Sequence, residues 1–156
     1  MSRRRATGVI GPAKLDDLGL CRCTEYGKTF ETGKPVSFRY LHNTDTGASA
    51  HYGSLFGQDI EPDGKYMLHK YPASKPTRGW VTGTIRFRKP LVLALGSSDI
   101  YGPSGWKARL SSAFGAKGAA LSTRLRAHGY DGIITCASST ETSEIVALRA
   151  KRSRRR

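Results

Sequence analysis

The stretch VSFRYLHNT, Val36 to Thr44, begins the clearly patterned part of this chain of 156 residues. Its aromatic and β-branched residues are typical of a strand, and turn-forming residues follow it in NTDTG. One histidine, His42, lies where this strand ends. A histidine in that place can be an ordinary surface residue, a metal ligand or part of a binding site, and the rest of the chain decides among these interpretations.

The chain after this stretch predicts five further strands and two helices, which lie in the order strands, helices, strands. The strands are GKYMLHKY (64–71), GTIRF (83–87), LVLAL (91–95), GIITC (132–136) and EIVALR (144–149). The helices are WKARLSSAF (106–114), for which Ser104 is the expected N-cap, and GAALSTRLRAHG (118–129), which ends at Gly129. Strands that run consecutively early, with helices clustered late, indicate an α+β fold with two or three helices.

Residues 6–34 carry little pattern and are expected to form short turns or a brief helix. No G-x-G-x-x-G follows a strand and no Walker-type phosphate loop occurs, which disfavours a Rossmann-type dinucleotide domain. The long connection TDTGASAHYGSLFGQDIEPDG has the composition of a functional loop.

The net charge of +14 is concentrated at the two ends of the chain. Nine of the 26 basic residues lie in the ends, and neither end contains an acid; 17 basic residues and 12 acidic residues remain between them, a net of +5. The tail residues are Arg3, Arg4, Arg5, Arg149, Lys151, Arg152, Arg154, Arg155 and Arg156. Such runs attract polyanions without reading sequence, so nucleic acid or an acidic protein is the expected partner.

The cysteines indicate a reducing compartment and do not predict a metal site. There are three, an odd number, and Cys21 and Cys23 are separated by one residue, which fits neither half of a zinc-finger spacing. No apolar run is long enough to span a bilayer, and the basic N-terminus lacks the apolar core of a secretory signal. A cytoplasmic monomer with no membrane partner is therefore expected.

Three short pieces carry the candidate chemistry. They are LHNT with His42, GKYML with Tyr66, and SEIVAL with Glu144 at the head of an apolar strand. An acid in that last position is unusual, because strands are depleted in glutamate and its desolvation is costly unless it faces a cleft or has a partner.

In their order and spacing these pieces resemble the histidine–tyrosine–glutamate branch of the ADP-ribosyltransferase fold. That branch has His-Gly-Ser/Thr at a strand end, then Gly-x-Tyr-Phe, then Glu before an apolar strand; here the matching pieces are His42-Asn43-Thr44, Gly64-Lys65-Tyr66-Met67 and Glu144 to Leu148. RLRAHGYDGIIT also looks like an element of small transferase domains from phages and mobile elements. The resemblance covers about residues 36–149.

The resemblance implies a split β-sheet core and a mono-ADP-ribosyltransferase that uses NAD as co-substrate, without a metal. Glu144 would stabilise the oxocarbenium-like transition state at the ribose, Tyr66 would stack on nicotinamide, and His42 would bind ribose hydroxyls. Asn43, Thr44 and a second aromatic residue, Tyr71 or Tyr52, would complete the NAD site. The resulting division is a basic segment at 1–34, a transferase-like domain at 35–149 and a basic tail at 150–156.

Two departures from the pattern and several alternatives stay open. Asn43 stands where the family has glycine, and Met67 stands where it has phenylalanine. The sister branch has a Glu-x-Glu motif. It is disfavoured because Thr142 stands two residues before Glu144, where that motif has a glutamate. Release of free ADP-ribose by hydrolysis is possible without any acceptor.

Simpler interpretations do not require a site. His42 would then end a strand, Tyr66 would be a core tyrosine, and Glu144 would pair with a lysine or arginine. The other histidines, His51, His69 and His128, are expected at surface positions. A non-enzymatic nucleic-acid-binding protein of a virion or of chromatin is the alternative function.

Overall fold

The computed structural model describes residues 18–43, 60–96 and 105–148, and these ranges contain eight strands and two helices. The strands are β1 (Arg22–Glu25), β2 (Lys28–Glu31), β3 (Val36–Asn43), β4 (Gly64–His69), β5 (Trp80–Phe87), β6 (Pro90–Ala94), β7 (Gly132–Ser138) and β8 (Glu141–Leu148). The helices are α1 (Trp106–Phe114) and α2 (Gly118–Ala127). The expected α+β class is confirmed.

Six strands form one sheet in the order β5-β3-β4-β8-β7-β6, and β1 and β2 form a separate hairpin. All neighbours in the sheet are antiparallel except β6 and β7, which are parallel and are joined through the two helices. The sequence predicted the positions of the six sheet strands and of both helices. Pro90 begins β6 at the end of the strand order, the kind of position in which a sheet tolerates proline.

Strand alternation divides the buried side chains into two cores. The helix-side core lies between the sheet and the two helices, and the hairpin-side core lies between the sheet and the β1–β2 hairpin. On β8, for example, Val146 faces the helix side, whereas Ile145 faces the hairpin side. The sheet therefore has both faces covered in its β4–β8–β7–β6 half.

The β1–β2 hairpin differs from the turns or brief helix expected for residues 6–34. Its strands are joined by the two-residue turn Tyr26–Gly27, and Cys23 and Phe30 point from it into the hairpin-side core, where both are fully buried. Such long-range burial helps to stabilise the two-stranded unit, because an isolated hairpin of four-residue strands is at best marginally stable in water.

The helix ends follow the predicted signals in part. Gly129, with φ 93°, adopts the left-handed conformation after α2, and Tyr130 donates its backbone N–H to the carbonyl of Leu125, as expected for a glycine-terminated helix. At the start of α1 the N-cap residue is Gly105, which offers no side-chain cap. The expected N-cap, Ser104, lies outside the described residues.

The sheet opens between β3 and β4 near the end of β3. β3 pairs with β5 along its whole length, from Val36 opposite Phe87 to Asn43 opposite Trp80. With β4, in contrast, the register pairs are Tyr40 with His69 and Leu41 with Leu68. Beyond Leu41 the two strands are no longer in register, and the candidate residue His42 lies at this opening.

Candidate functional site

Tyr66 is held on β4 with its ring against the helix-side core. It lies opposite Val146 of β8, and its hydroxyl donates a hydrogen bond of 2.8 Å to the carbonyl of Pro62. Burial of the ring, together with the negative charges of Glu61 and Glu144, raises the pKa of Tyr66 well above its ordinary value. The phenol is therefore neutral at physiological pH and acts as a hydrogen-bond donor.

Glu144 is held on β8 by two hydrogen bonds that leave one of its oxygens open. The indole N–H of Trp106 donates to Oε1 at 3.1 Å, and the hydroxyl of the fully buried Thr135 donates to the Glu144 main-chain carbonyl at 2.7 Å. The side chain is 30% exposed. Within the described part of the chain, Oε2 of Glu144 has no hydrogen-bond partner. One carboxylate oxygen is thus fixed, and the other can meet a ligand.

A buried lysine, Lys107, lies between two carboxylates beside Tyr66. Its side chain is 2% exposed, and its Nζ lies 2.7 Å from Oε2 of Glu61 and 3.7 Å from Oε1 of Glu144. The same Nζ lies 5.8 Å from the ring centre of Tyr66 and 5.6 Å from that of Trp106. Because Glu61 makes the closer contact, Lys107 neutralises Glu144 only in part.

Lys107, Glu61 and Trp106 were not predicted from the sequence. In α1 the buried residues Trp106, Leu110 and Phe114 follow the helical repeat, and Lys107 comes one position after the first of them. That position ordinarily holds a partly exposed lysine, so the pattern contains no signal of its burial. The one available signal for Glu61 is its place just before the GKYML strand.

His42 contacts Tyr66 through the main chain and not through the side chain. Its Nδ1 lies 2.8 Å from the Tyr66 carbonyl oxygen. Since a carbonyl can only accept, Nδ1 carries the proton, and Nε2 is the ring nitrogen left for a further hydrogen bond. On β3 its side chain lies on the same face as Phe38 and Tyr40, which pack on the hairpin side. The Tyr66 ring packs on the helix side, so the two side chains extend from opposite faces of the sheet, and His42 reaches Tyr66 only at its main-chain carbonyl.

The remaining predicted residues are placed as follows. Asn43 is exposed at the end of β3, opposite Trp80. Thr44 and Tyr52 lie outside the described residues. Tyr71 is 54% exposed, and its ring contacts that of Tyr26 at 5.2 Å between ring centres. The structure thus brings Tyr66, Glu144 and the main-chain contact of His42 together, and it groups Tyr71 with the hairpin turn instead.

The arrangement suits stabilisation of a developing positive charge. A half-exposed carboxylate with one oriented oxygen lies beside the tyrosine ring, and such a group can stabilise an oxocarbenium ion or orient a hydroxyl of a sugar. In the ranges 18–43, 60–96 and 105–148, no group of three or more histidine, cysteine, aspartate or glutamate side chains is arranged to hold a metal ion.

The chain matches no protein-family model, no curated protein and no solved structure. Among the described helices, neither is long and apolar enough to cross a membrane.

Proposed function

We propose that the protein is an NAD-dependent mono-ADP-ribosyltransferase with a split-sheet core of the histidine–tyrosine–glutamate type. One observation carries the proposal: Tyr66 and Glu144 lie around the same buried lysine, and His42 binds the main chain of Tyr66 at the opening of the sheet. These three residues come from β3, β4 and β8, which are neighbours in the sheet although β8 is far from the others in sequence.

In the proposed reaction, the bond between nicotinamide and its ribose breaks, and the bonding electron pair leaves with nicotinamide. Glu144 stabilises the positive charge that develops on the ribose, and its open Oε2 orients a ribose hydroxyl. Tyr66 offers a neutral aromatic face to the nicotinamide ring. The nucleophile of the acceptor then bonds to the ribose carbon and loses its proton.

His42 has a positioning role in this proposal. Its Nδ1 proton is engaged by the Tyr66 carbonyl, so Nε2 is the ring nitrogen left to form a hydrogen bond with a ribose hydroxyl. Asn43 and Thr44, which follow it, are proposed to contact NAD as well. Tyr71 is left out of the nicotinamide site because its ring contacts Tyr26.

The acceptor is proposed to be an acidic macromolecule in the cytoplasm of a producing or infected cell, in keeping with the net charge of +14. The test is incubation of the full chain with labelled NAD and a cell lysate, followed by mass spectrometry of labelled products. Glu144→Gln should abolish labelling, whereas Glu141→Gln, an exposed acid on the same strand, should label as the wild type does. A wild-type protein that neither binds nor consumes NAD would refute the proposal.

A non-enzymatic nucleic-acid-binding protein is the second candidate, and the basic tails favour it. Removal of residues 1–5 and 149–156 should flatten the salt dependence of binding if the tails carry the phosphate contacts. Unchanged affinity and salt slope after this truncation would count against the tails. A wild-type protein that binds nucleic acid but does not consume NAD would favour this candidate over the transferase.

A further inference from the structure

An exposed pair of tyrosines lies on the hairpin side of the molecule, away from the Lys107 cluster. Tyr26 is 44% exposed, Tyr71 is 54% exposed, and their rings meet edge to face with 5.2 Å between centres. Large aromatic side chains are normally buried for most of their surface, so two adjacent exposed rings are unusual on a folded domain. We call these two residues the tyrosine pair.

Tyr26 occupies a turn position that disfavours it. It and Gly27 form the two-residue loop between β1 and β2, and both have positive φ, 49° and 78°. This type of turn prefers asparagine, aspartate or glycine at its first position, because other side chains are strained there. Tyr26 therefore presents its ring at the tip of the hairpin at a cost to local stability.

The ring of Tyr26 rests on a buried polar anchor. It lies 4.9 Å from the ring of His69, and the Nδ1 of His69 lies 2.8 Å from a carboxylate oxygen of Glu25. Glu25 also accepts hydrogen bonds from the backbone N–H, at 3.1 Å, and from the hydroxyl of Thr142. The expectation that His69 is a surface residue is therefore wrong: its side chain is only 4% exposed, because Glu25 and the hairpin cover it. This anchor ties the hairpin tip to β4 and β8.

Basic residues flank the tyrosine pair on both sides. Lys28 follows the turn directly and is exposed. After Tyr71, Lys75 and Arg78 are exposed in the connection to β5, and residues 70–80 contain no acid. Glu25, the acid closest in sequence to the turn, is buried in the anchor. Three exposed cations thus lie near the pair in sequence, while the charges of Glu25 and of the exposed Glu141 act on the Tyr26 ring.

We propose that the tyrosine pair is a stacking site for the bases of single-stranded nucleic acid, with Lys28, Lys75 and Arg78 contacting phosphates. Exposed aromatic rings beside cations are the means by which proteins bind single strands without reading sequence, since every base has a flat face. The strong positive charge of the chain favours a polyanion over a peptide. This site does not depend on the transferase proposal, and its test needs no NAD.

The test measures fluorescence anisotropy of a labelled 12-nucleotide single strand, as DNA and as RNA, and of the matching duplex, over a series of salt concentrations. Tyr71→Ala should weaken single-strand binding about tenfold without changing the salt slope, because stacking releases no counterions. Lys75→Ala should instead lower the salt slope by about 0.7. Tyr71→Phe keeps the ring face and is the matched control, expected to bind as the wild type does.

Tyr26→Asn separates a binding role from a structural one. Asparagine suits the turn, so this variant should stay folded while losing about as much single-strand affinity as Tyr71→Ala. If it does not fold, Tyr71→Ala decides by itself. Wild-type affinity in Tyr71→Ala would overturn the proposal. Binding carried wholly by the tails would overturn it too, and so would duplex binding that is as tight as single-strand binding and as sensitive to Tyr71→Ala. The DNA and RNA strands show which polymer is preferred.

Discussion

Replacement of Lys107 by methionine tests how the positive charge of Lys107 is shared between the carboxylates of Glu61 and Glu144. Methionine keeps most of the side-chain length and apolar volume while it removes the ammonium group. Removing one partner of a fully buried ion pair costs about 3–5 kcal/mol, because the other charge stays buried without compensation. Here the carboxylates are 18% exposed at Glu61 and 30% exposed at Glu144, so water compensates them in part. We expect the free energy of unfolding to fall by about 2–3 kcal/mol.

The two carboxylates should not contribute equally to that loss. The separations of 2.7 Å and 3.7 Å change the Coulomb attraction by a factor of only about 1.4. The closer pair is also the more buried one, because Glu61 is 18% exposed and Glu144 is 30% exposed. Double-mutant cycles should therefore give a coupling energy of about 2 kcal/mol between Lys107 and Glu61, and of about 1 kcal/mol or less between Lys107 and Glu144.

The assay is urea-induced unfolding of the wild type, of Lys107→Met, Glu61→Gln and Glu144→Gln, and of the two double variants. Glu144→Gln alone should cost less than about 1 kcal/mol, because the amide oxygen can still accept from Trp106. A Lys107–Glu144 coupling that equals or exceeds the Lys107–Glu61 coupling would refute the reasoning. Glu144 would then be an anchored structural ion pair, and the transferase proposal would lose its principal support.

Three further predictions concern pH, thiol reactivity and packing. Burial raises the pKa of Tyr66 in the folded state, so its contribution to stability is present below about pH 10 and is lost as the pH rises above that value. Tyr66→Phe should therefore flatten the alkaline fall in Tm measured by circular dichroism. The hydrogen bond between Cys21 and Cys136 lowers the pKa of Cys21 and raises that of Cys136. Iodoacetamide should therefore label Cys21 first, as measured by peptide mass spectrometry, and faster labelling of Cys136 would contradict this. Gly64→Ala should cost about 2 kcal/mol in a urea titration, since its Cβ would lie 2.5 Å from the carbonyl oxygen of Ala147; an unchanged midpoint would show that β4 can shift.

The strands and helices were predictable because their signals are local. VSFRYLHN matches β3 residue for residue, and WKARLSSAF matches α1. In both cases the periodicity of apolar residues, which reports which face is buried, coincides with the element that forms. The turn at Gly129 was predictable for the same reason, since only its own backbone conformation is involved.

The hairpin was not predictable from its own residues. β1 and β2 are four residues each and rich in threonine and charge, and the turn between them carries Tyr26 where asparagine is usual. Its stability comes from Cys23 and Phe30 in the hairpin-side core and from the contact of Glu25 with His69. Each of these contacts joins residues that are distant in sequence, so no short window contains them.

The sequence by itself determined the α+β class, the strongly basic ends and the candidate residues His42, Tyr66 and Glu144. The tertiary structure alone decided which of them meet. The sheet places β8 between β4 and β7, which brings Glu144 to the cluster around Tyr66, and α1 then buries Lys107 between two carboxylates. The order of strands in a sheet follows from the burial of both faces against helices and hairpin, and that burial is a property of the whole chain.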